Sequence, residues 1–270
     1  MKAVWYSQNG PAQDVLQFGD LPTPQAGPGE VRLRLQTSGV NPSDVKSRRA
    51  RPVTDALIVP HSDGAGVIDQ VGQGVDPARL GQRVWTWNAQ WQRPMGTAAE
   101  YVVLPQAQAV RLPEGTDFAA GACLGIPALT AVQAVVWAER LAGDLRGQRV
   151  LVVGAASSVG HYITQLVRQA GAEVLGTVGS AERAAHARAA GLHAPIFYKQ
   201  ENVAERVRAL TQGQGVDVVI DIQRQQLAWL GVRPGLAFHD EAALARRFVA
   251  EGRVGAIRHI RAQYLQDWLA

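Results

Sequence analysis

Short runs in which apolar and polar side chains alternate, or in which β-branched and aromatic residues gather, recur through the first half of the chain. They are Ala3–Tyr6, Glu30–Gln36, Gly66–Val71, Arg83–Trp87 and Ala99–Leu104. Gly and Pro bound each run, which is how strands separated by turns are written. Proline use changes at the same place: of 14 prolines, 12 precede Gly154 and only Pro195 and Pro234 follow it. The pattern predicts an all-β module folded as a compact barrel.

From about Phe118 the period lengthens. Phe118–Trp137 is rich in Ala and Leu, interrupted by Gly125 and Pro127, and reads as helix. Strands at Val150–Val153, Glu173–Thr177, Ile196–Tyr198 and Val216–Ile222 then alternate with helices at Ser158–Ala170, Ala181–Ala190 and Asn202–Thr211. Strands alternating with helices of that length predict a parallel sheet covered on both faces, so the chain is α/β. Leu227–Gly235 reads as a helix and turn, Leu236–Phe238 as a short strand, and Asp240–Ala270 as helix broken at Gly252.

Composition narrows the classes. With 270 residues, 47% hydrophobic and 19% charged, the chain can bury one large core or two smaller ones. No apolar run approaches the roughly 20 residues of a membrane span, and MKAVWYSQNG is not a secretory leader. A cytoplasmic protein, with no membrane partner, is the expectation. Cys123 is the single cysteine, so no internal disulfide or multi-cysteine zinc site can form; it reads as a small buried hydrophobe. The net charge of +4 owes much to the end of the chain, where residues 222–270 hold 7 Arg against 4 Asp and Glu. Those arginines are scattered through helical sequence rather than gathered with aromatics, so no nucleic-acid partner is expected.

Candidate chemistry lies at Arg149–Gly160, RVLVVGAASSVG. An apolar strand leads into Gly154 for a sharp turn, and Gly160 lets the next helix pack close. Between them Ala155, Ala156, Ser157, Ser158 and Val159 place backbone N–H groups at a helix start, where a pyrophosphate can bind. Ser157 and Ser158 stand where the usual fingerprint has a glycine, so an ordinary strand-to-helix turn is the competing reading. The order strand, turn, helix, strand favours a dinucleotide. A site for NAD generally has an acid after the second strand. Here Gly176–Ser180 offers none, and Ser180 and Arg183 are placed for a 2′-phosphate, with Tyr198 and Lys199 at the tip of the next strand. Arg183 or Lys199 alone would pass for an exposed charge; together with the missing acid they select NADPH.

Several ordered motifs, MKAVWY, SGVNPSD from Ser38 to Asp44, PHSDGAGVIDQVGQGV from Pro60, GTAAEY from Gly96, LGIPALTA from Leu124 and VDVVID from Val216, now come into view together. On these residues the chain resembles the zinc-free, zeta-crystallin-like quinone oxidoreductases of the medium-chain dehydrogenase/reductase superfamily. The resemblance implies a GroES-like β-barrel catalytic domain (1–120) and a Rossmann-type NADPH-binding domain (121–238). It leaves a helical tail (239–270) that matches nothing in the family. It also implies hydride transfer from NADPH to a quinone or enone, in a cleft between the domains. Asn41 and Thr130 would meet the nicotinamide half. Lys46 stands where many relatives carry an aromatic beside the substrate.

Zinc alcohol dehydrogenases place a Cys near position 41 and a His-Glu pair near 61–63. This chain has Asn41 and His61-Ser62-Asp63, so no metal is expected and His61 is assigned to capping the turn before Gly64. Trp85, Trp87 and Trp91, with Asn88, Gln90 and Met95, read either as ordinary packing or as a flat wall for an aromatic substrate. Only 49 residues follow Asp221, fewer than relatives have, so the Rossmann half is expected to be shortened and to leave a sheet edge that favours a homodimer. The expectations are therefore a zinc-independent NADPH:quinone reductase, an enoyl thioester or alkenal reductase, or an NADPH-binding protein made inactive by its shortened C-terminus.

Overall fold

The computed structural model describes residues 1–221, with side chains, and the backbone of 259–262. The chain divides into two compact units, Met1–Ala128 and Leu129–Ala270.

In the first unit β1 (Lys2–Trp5), the single helical turn α1 (Ala12–Val15) and β2 (Gln17–Asp20) form a hairpin-like pair. Next come β3 (Glu30–Gly39), α2 (Pro42–Ala50), β4 (Asp63–Val71), β5 (Arg83–Thr86), β6 (Tyr101–Pro105), β7 (Ala109–Arg111) and the short α3 (Phe118–Gly121). The main sheet is antiparallel in the order β6-β3-β4-β5-β7. Two register shifts between β3 and β4 mark bulges, which bend a strand and sharpen its twist. Alternate residues of the strands meet inside: Val31, Leu33, Ile68, Val84, Val102 and Leu104 are buried together. Bridges Ala3↔Ala99, Tyr6↔Ile58 and Val59↔Met95 tie the loops to this frame.

The Phe118–Trp137 stretch is interrupted at the expected Gly125 and Pro127. After α3 the segment Leu124–Ala128 is a wide, kinked turn with Gly125 at φ −56°, ψ −108°, and a regular helix, α4 (Leu129–Ala142), starts beyond it. Pro127 removes an N–H and Gly125 weakens the turn, which is why the break falls here. Cys123 is exposed, contrary to the expected burial; Gly121 and Ala122 take the buried positions of that turn instead.

The second unit continues with β8 (Arg149–Val153), α5 (Ser158–Gln169), β9 (Glu173–Val178), α6 (Ala181–Ala189), β10 (Ala194–Phe197), α7 (Val203–Leu210), β11 (Val218–Asp221) and β12 (His259–Ala262). The sheet is parallel throughout in the order β10-β9-β8-β11-β12. Its strands are apolar on both sides because both faces are covered. Val150, Val152, Val174 and Ile220 pack with Ile163 and Val167 of α5. Leu151, Val153, Leu175 and Val219 pack with Val207 of α7 on the other face. The order reverses between β8 and β11, and such a switch point is where open α/β sheets bind ligands.

Helix was expected across 240–270, yet 259–262 is a strand lying parallel to β11, His259 opposite Val218 through Ala262 opposite Asp221. An unpaired strand edge outweighs weak local helix preference, because each added residue satisfies backbone groups that would otherwise stay open. The β11 edge expected to be exposed is thereby paired. The readings for Leu227–Gly235, for Leu236–Phe238 and for the rest of the tail lie outside the described residues.

Candidate functional site

In the second unit the turn after β8 is held from the neighbouring strand. Gly154, at φ +74°, donates its N–H to Thr177 Oγ1 at 2.8 Å, and Ala155 N donates to the Thr177 carbonyl at 3.1 Å. Ser157 caps α5: its Oγ accepts from Gly160 N at 3.0 Å. That oxygen serves the helix, while the hydroxyl proton is left for an outside acceptor. A Cβ on Gly160 would stand 2.2 Å from the Gly154 carbonyl oxygen, so only glycine permits this approach. Among the described residues the N–H groups of Ala156, Ser158 and Val159 meet no acceptor. Donors converging at a helix start, on the positive end of its dipole, make an anion cradle.

The structure brings the other phosphate candidates to the same edge. Ser180 caps α6, its Oγ accepting from Arg183 N at 3.2 Å. The Arg183 guanidinium reaches back to the Ala156 carbonyl at 3.2 Å, joining α6 to the turn. Tyr198 comes in from the end of β10, its hydroxyl 3.2 Å from the point a Cβ of Gly179 would occupy. Thr130 lies in the first turn of α4, half-buried.

In the first unit Asn41 is the N-cap of α2, its backbone carbonyl accepting from Asp44 N at 3.0 Å. Asn41 N donates to Asp44 Oδ2 at 2.6 Å, and its side-chain Nδ2 donates to Asp63 Oδ2 at 2.8 Å. Ile126 N also donates to Asp63 Oδ2, at 2.8 Å. Asp63 is 1% exposed. Burial pushes its carboxyl up to about 6, against the pull of these hydrogen bonds. Burial, aided by the neighbouring Asp63 charge, pushes Asp44 up to about 7. Beside them Ser38 Oγ lies 2.9 Å from His61 Nδ1 and 2.9 Å from Thr97 Oγ1, which donates to the Asp63 carbonyl at 2.6 Å. His61 sits at φ +75°, and its carbonyl accepts from Thr97 N. Burial holds its imidazole below the ordinary range.

The aromatic wall is built differently from a flat strand face. Trp85 lies on β5 and Trp87 just after it, both partly buried. Arg51 covers the Trp91 ring at 5.2 Å. Asn88 is buried at φ +50°, and its carbonyl accepts from Arg93 and Gln108, so it organises the loop from inside. Lys46 is exposed on α2.

Two family models match the chain: the alcohol dehydrogenase GroES-like domain over residues 27–114, and the zinc-binding dehydrogenase over 158–229. The chain belongs to the medium-chain dehydrogenase/reductase superfamily. Relatives in the superfamily include a 2-haloacrylate reductase from Burkholderia sp, 33% identical over 225 residues, covering 82% of this chain and 66% of that one. A quinone oxidoreductase from Pseudomonas aeruginosa is 34% identical over 209 residues, covering 77% of this chain and 62% of its own. The chain therefore spans about two thirds of the length of the first of these relatives and a little less of the second. A mycobacterial protein solved in complex with NADPH superposes with a TM-score of 0.76 at 25% identity, over 99% of this chain and 82% of that one.

The zinc of some superfamily members does not suit these residues. The Asn41 nitrogen is an amide donor already aimed at Asp63, and it has no lone pair to offer a metal. The accepting oxygen of Asp63 already takes two N–H groups. Among the described residues no group of three His, Cys, Asp or Glu side chains is placed to hold an ion. The turn from Gly154 to Gly160 differs in offering backbone donors at a helix start, which suit an anionic group.

Reading from sequence missed Thr177, Asp44 and Asp63 as partners. Asp44 had a visible signal: Asn41-Pro42-Ser43-Asp44 is an N-cap, a Pro at the first helical position and an acid at the third, which together announce α2. Nothing local announces Thr177 or Asp63, whose partners lie 23 and 22 residues away.

Proposed function

We propose that the chain is an NADPH-dependent reductase that passes hydride to a quinone or another electron-poor alkene or carbonyl without zinc. The observation that carries this reading is the edge formed by Ala156, Ser180 and Arg183, where a guanidinium and a helix start converge and no carboxylate follows β9. Ser180, Arg183 and Tyr198 would hold the 2′-phosphate, and the turn from Gly154 to Gly160 the pyrophosphate. Asn41 and Thr130 would meet the nicotinamide half, as the superfamily resemblance implies.

The bound nicotinamide supplies the hydride, and the protein supplies orientation and a polar frame. The oxyanion left on a reduced quinone needs no dedicated acid, since solvent can protonate it. Quinones and 2-haloacrylates, the substrates named for the two relatives, share an electron-poor C=C bond. That shared bond supports the alkene class and keeps alkenals and enoyl thioesters as the second reading.

Titration with NADPH and NADH, followed by a quinone, alkenal and enoyl thioester panel, tests the proposal. Arg183→Ala is expected to weaken NADPH by roughly 10- to 100-fold, the loss of a charge-assisted phosphate contact, while leaving NADH within about twofold. Equal losses for both cofactors would remove Arg183 from the 2′-phosphate site. NADPH binding without turnover on any substrate would support a binding protein instead of an enzyme.

A further inference from the structure

We propose that Asp63 is the positioning residue for Asn41, a buried carboxyl group that locks the Asn41 amide into one arrangement. The inference rests on the reading of Asn41 as a cofactor contact.

Three separate segments meet on one oxygen. Asp63 Oδ2, on β4, accepts from the Asn41 side chain at the start of α2 and from Ile126 N in the kinked segment, each at 2.8 Å. The second oxygen, Oδ1, is buried and has no partner among the described residues. A carboxylate kept in such a place is costly, since burial penalises its charge and one oxygen gains nothing back. Core packing alone would be served better by an apolar side chain.

What an acceptor oxygen in this place does is fix the sense of an amide. Ionised, Asp63 only accepts, so the Asn41 nitrogen must face it and the Asn41 oxygen must face away. A ligand group reaching Asn41 then finds donor and acceptor already assigned, and no rotation has to be frozen on binding. The fold makes room for this group at a specific place. A Cβ on Gly125 would stand 2.1 Å from Asp63 Oδ1, so Gly125 and Asp63 occupy one site between them. The kink at Gly125 is what turns Ile126 N toward the carboxylate.

The test compares Asp63→Ala, Asp63→Asn, Asn41→Ala and the Asp63→Ala/Asn41→Ala pair, with the NADPH dissociation constant as the readout and a thermal melt to confirm folding. Asn41→Ala and Asp63→Ala are each expected to weaken NADPH by roughly 10- to 100-fold. The double variant should be no weaker than Asn41→Ala alone, because the two act through one contact. Asp63→Asn should recover most of the affinity, since its single amide oxygen can take both N–H groups. Gly125→Ala, which displaces the carboxylate without removing it, should match Asp63→Ala.

Additive losses in the double variant, or an Asp63→Asn chain as weak as Asp63→Ala, would overturn the positioning role. A loss in Asn41→Ala with none in Asp63→Ala would overturn it while sparing the reading of Asn41. Unchanged affinity in Asn41→Ala, or no NADPH binding by the unaltered chain, would overturn that reading and the proposal with it.

Discussion

A Gly160→Ala chain is expected to lose measurable dinucleotide binding and to melt several degrees lower. The added Cβ would fall 2.2 Å from the Gly154 carbonyl oxygen and 3.0 Å from Ala155 Cα, and both neighbours are backbone that cannot rotate away. Either α5 lifts off β8 or the turn opens, and each outcome moves the N–H groups of Ala156, Ser158 and Val159 away from a common centre. Overpacking of this kind costs about 1–3 kcal/mol. Burial of Ile163 and Val167 of α5 against the sheet would suffer along with it. Ser158→Ala is the matched control: Ser158 is exposed beside the turn, and its removal should leave the fold alone. Isothermal titration and a thermal melt of the two variants check this. A Gly160→Ala chain that binds NADPH like the unaltered one would mean the cradle is not where the phosphates sit.

The second large effect concerns pH. Asp44 and Asp63 are both raised in the folded chain, to about 7 and about 6, by burial, against about 3.9 for a free aspartate. A raised folded value means the native state binds more protons than the unfolded chain between pH 4 and pH 7. Their contribution to stability is therefore greatest at the acid end of that window and is lost as pH rises through 6 and 7. Two raised carboxyls that sense each other titrate as a pair, and the total is on the order of a few kcal/mol at about 1.4 kcal/mol per unit.

Relative to an Asp44→Asn/Asp63→Asn chain, the unaltered protein should gain roughly 5–10 °C in melting temperature between pH 8 and pH 5. Using the difference between the chains removes the pH response of exposed pairs such as Lys2–Asp20, which both chains share. A difference that stays constant across that range would mean neither carboxyl carries a raised value. A difference running the other way would mean the two are stabilised as anions.

Local pattern was enough for much of this protein. The apolar strand Val150–Val153, the turn glycines and the amphipathic α5 are written in consecutive residues, so their elements lie within a residue or two of where periodicity puts them. The placement of Ser180 and Arg183 beside the turn was also legible, because a parallel βαβ unit returns the end of its second strand beside the end of its first. The α2 helix was less visible, since its interior, DVKSRRA, has no apolar stripe and only its cap announces it. Cys123 was misjudged because burial of a single small residue depends on which way a turn faces, and the kink at Gly125 settles that.

The sequence by itself therefore determined the α/β class, the alternation of strands and helices from β8 to β11, and the glycine turn after β8. These follow from periodicity, caps and glycines, all of which act over a few residues. Tertiary structure alone decided that Asp63 meets Asn41 and Ile126, that Thr177 holds Gly154, and that 259–262 lies on β11 as a strand. Each of these depends on hydrogen-bonding groups finding partners 20 or more residues away. Such pairings come from how strands register and helices dock, and no local preference in the chain encodes them.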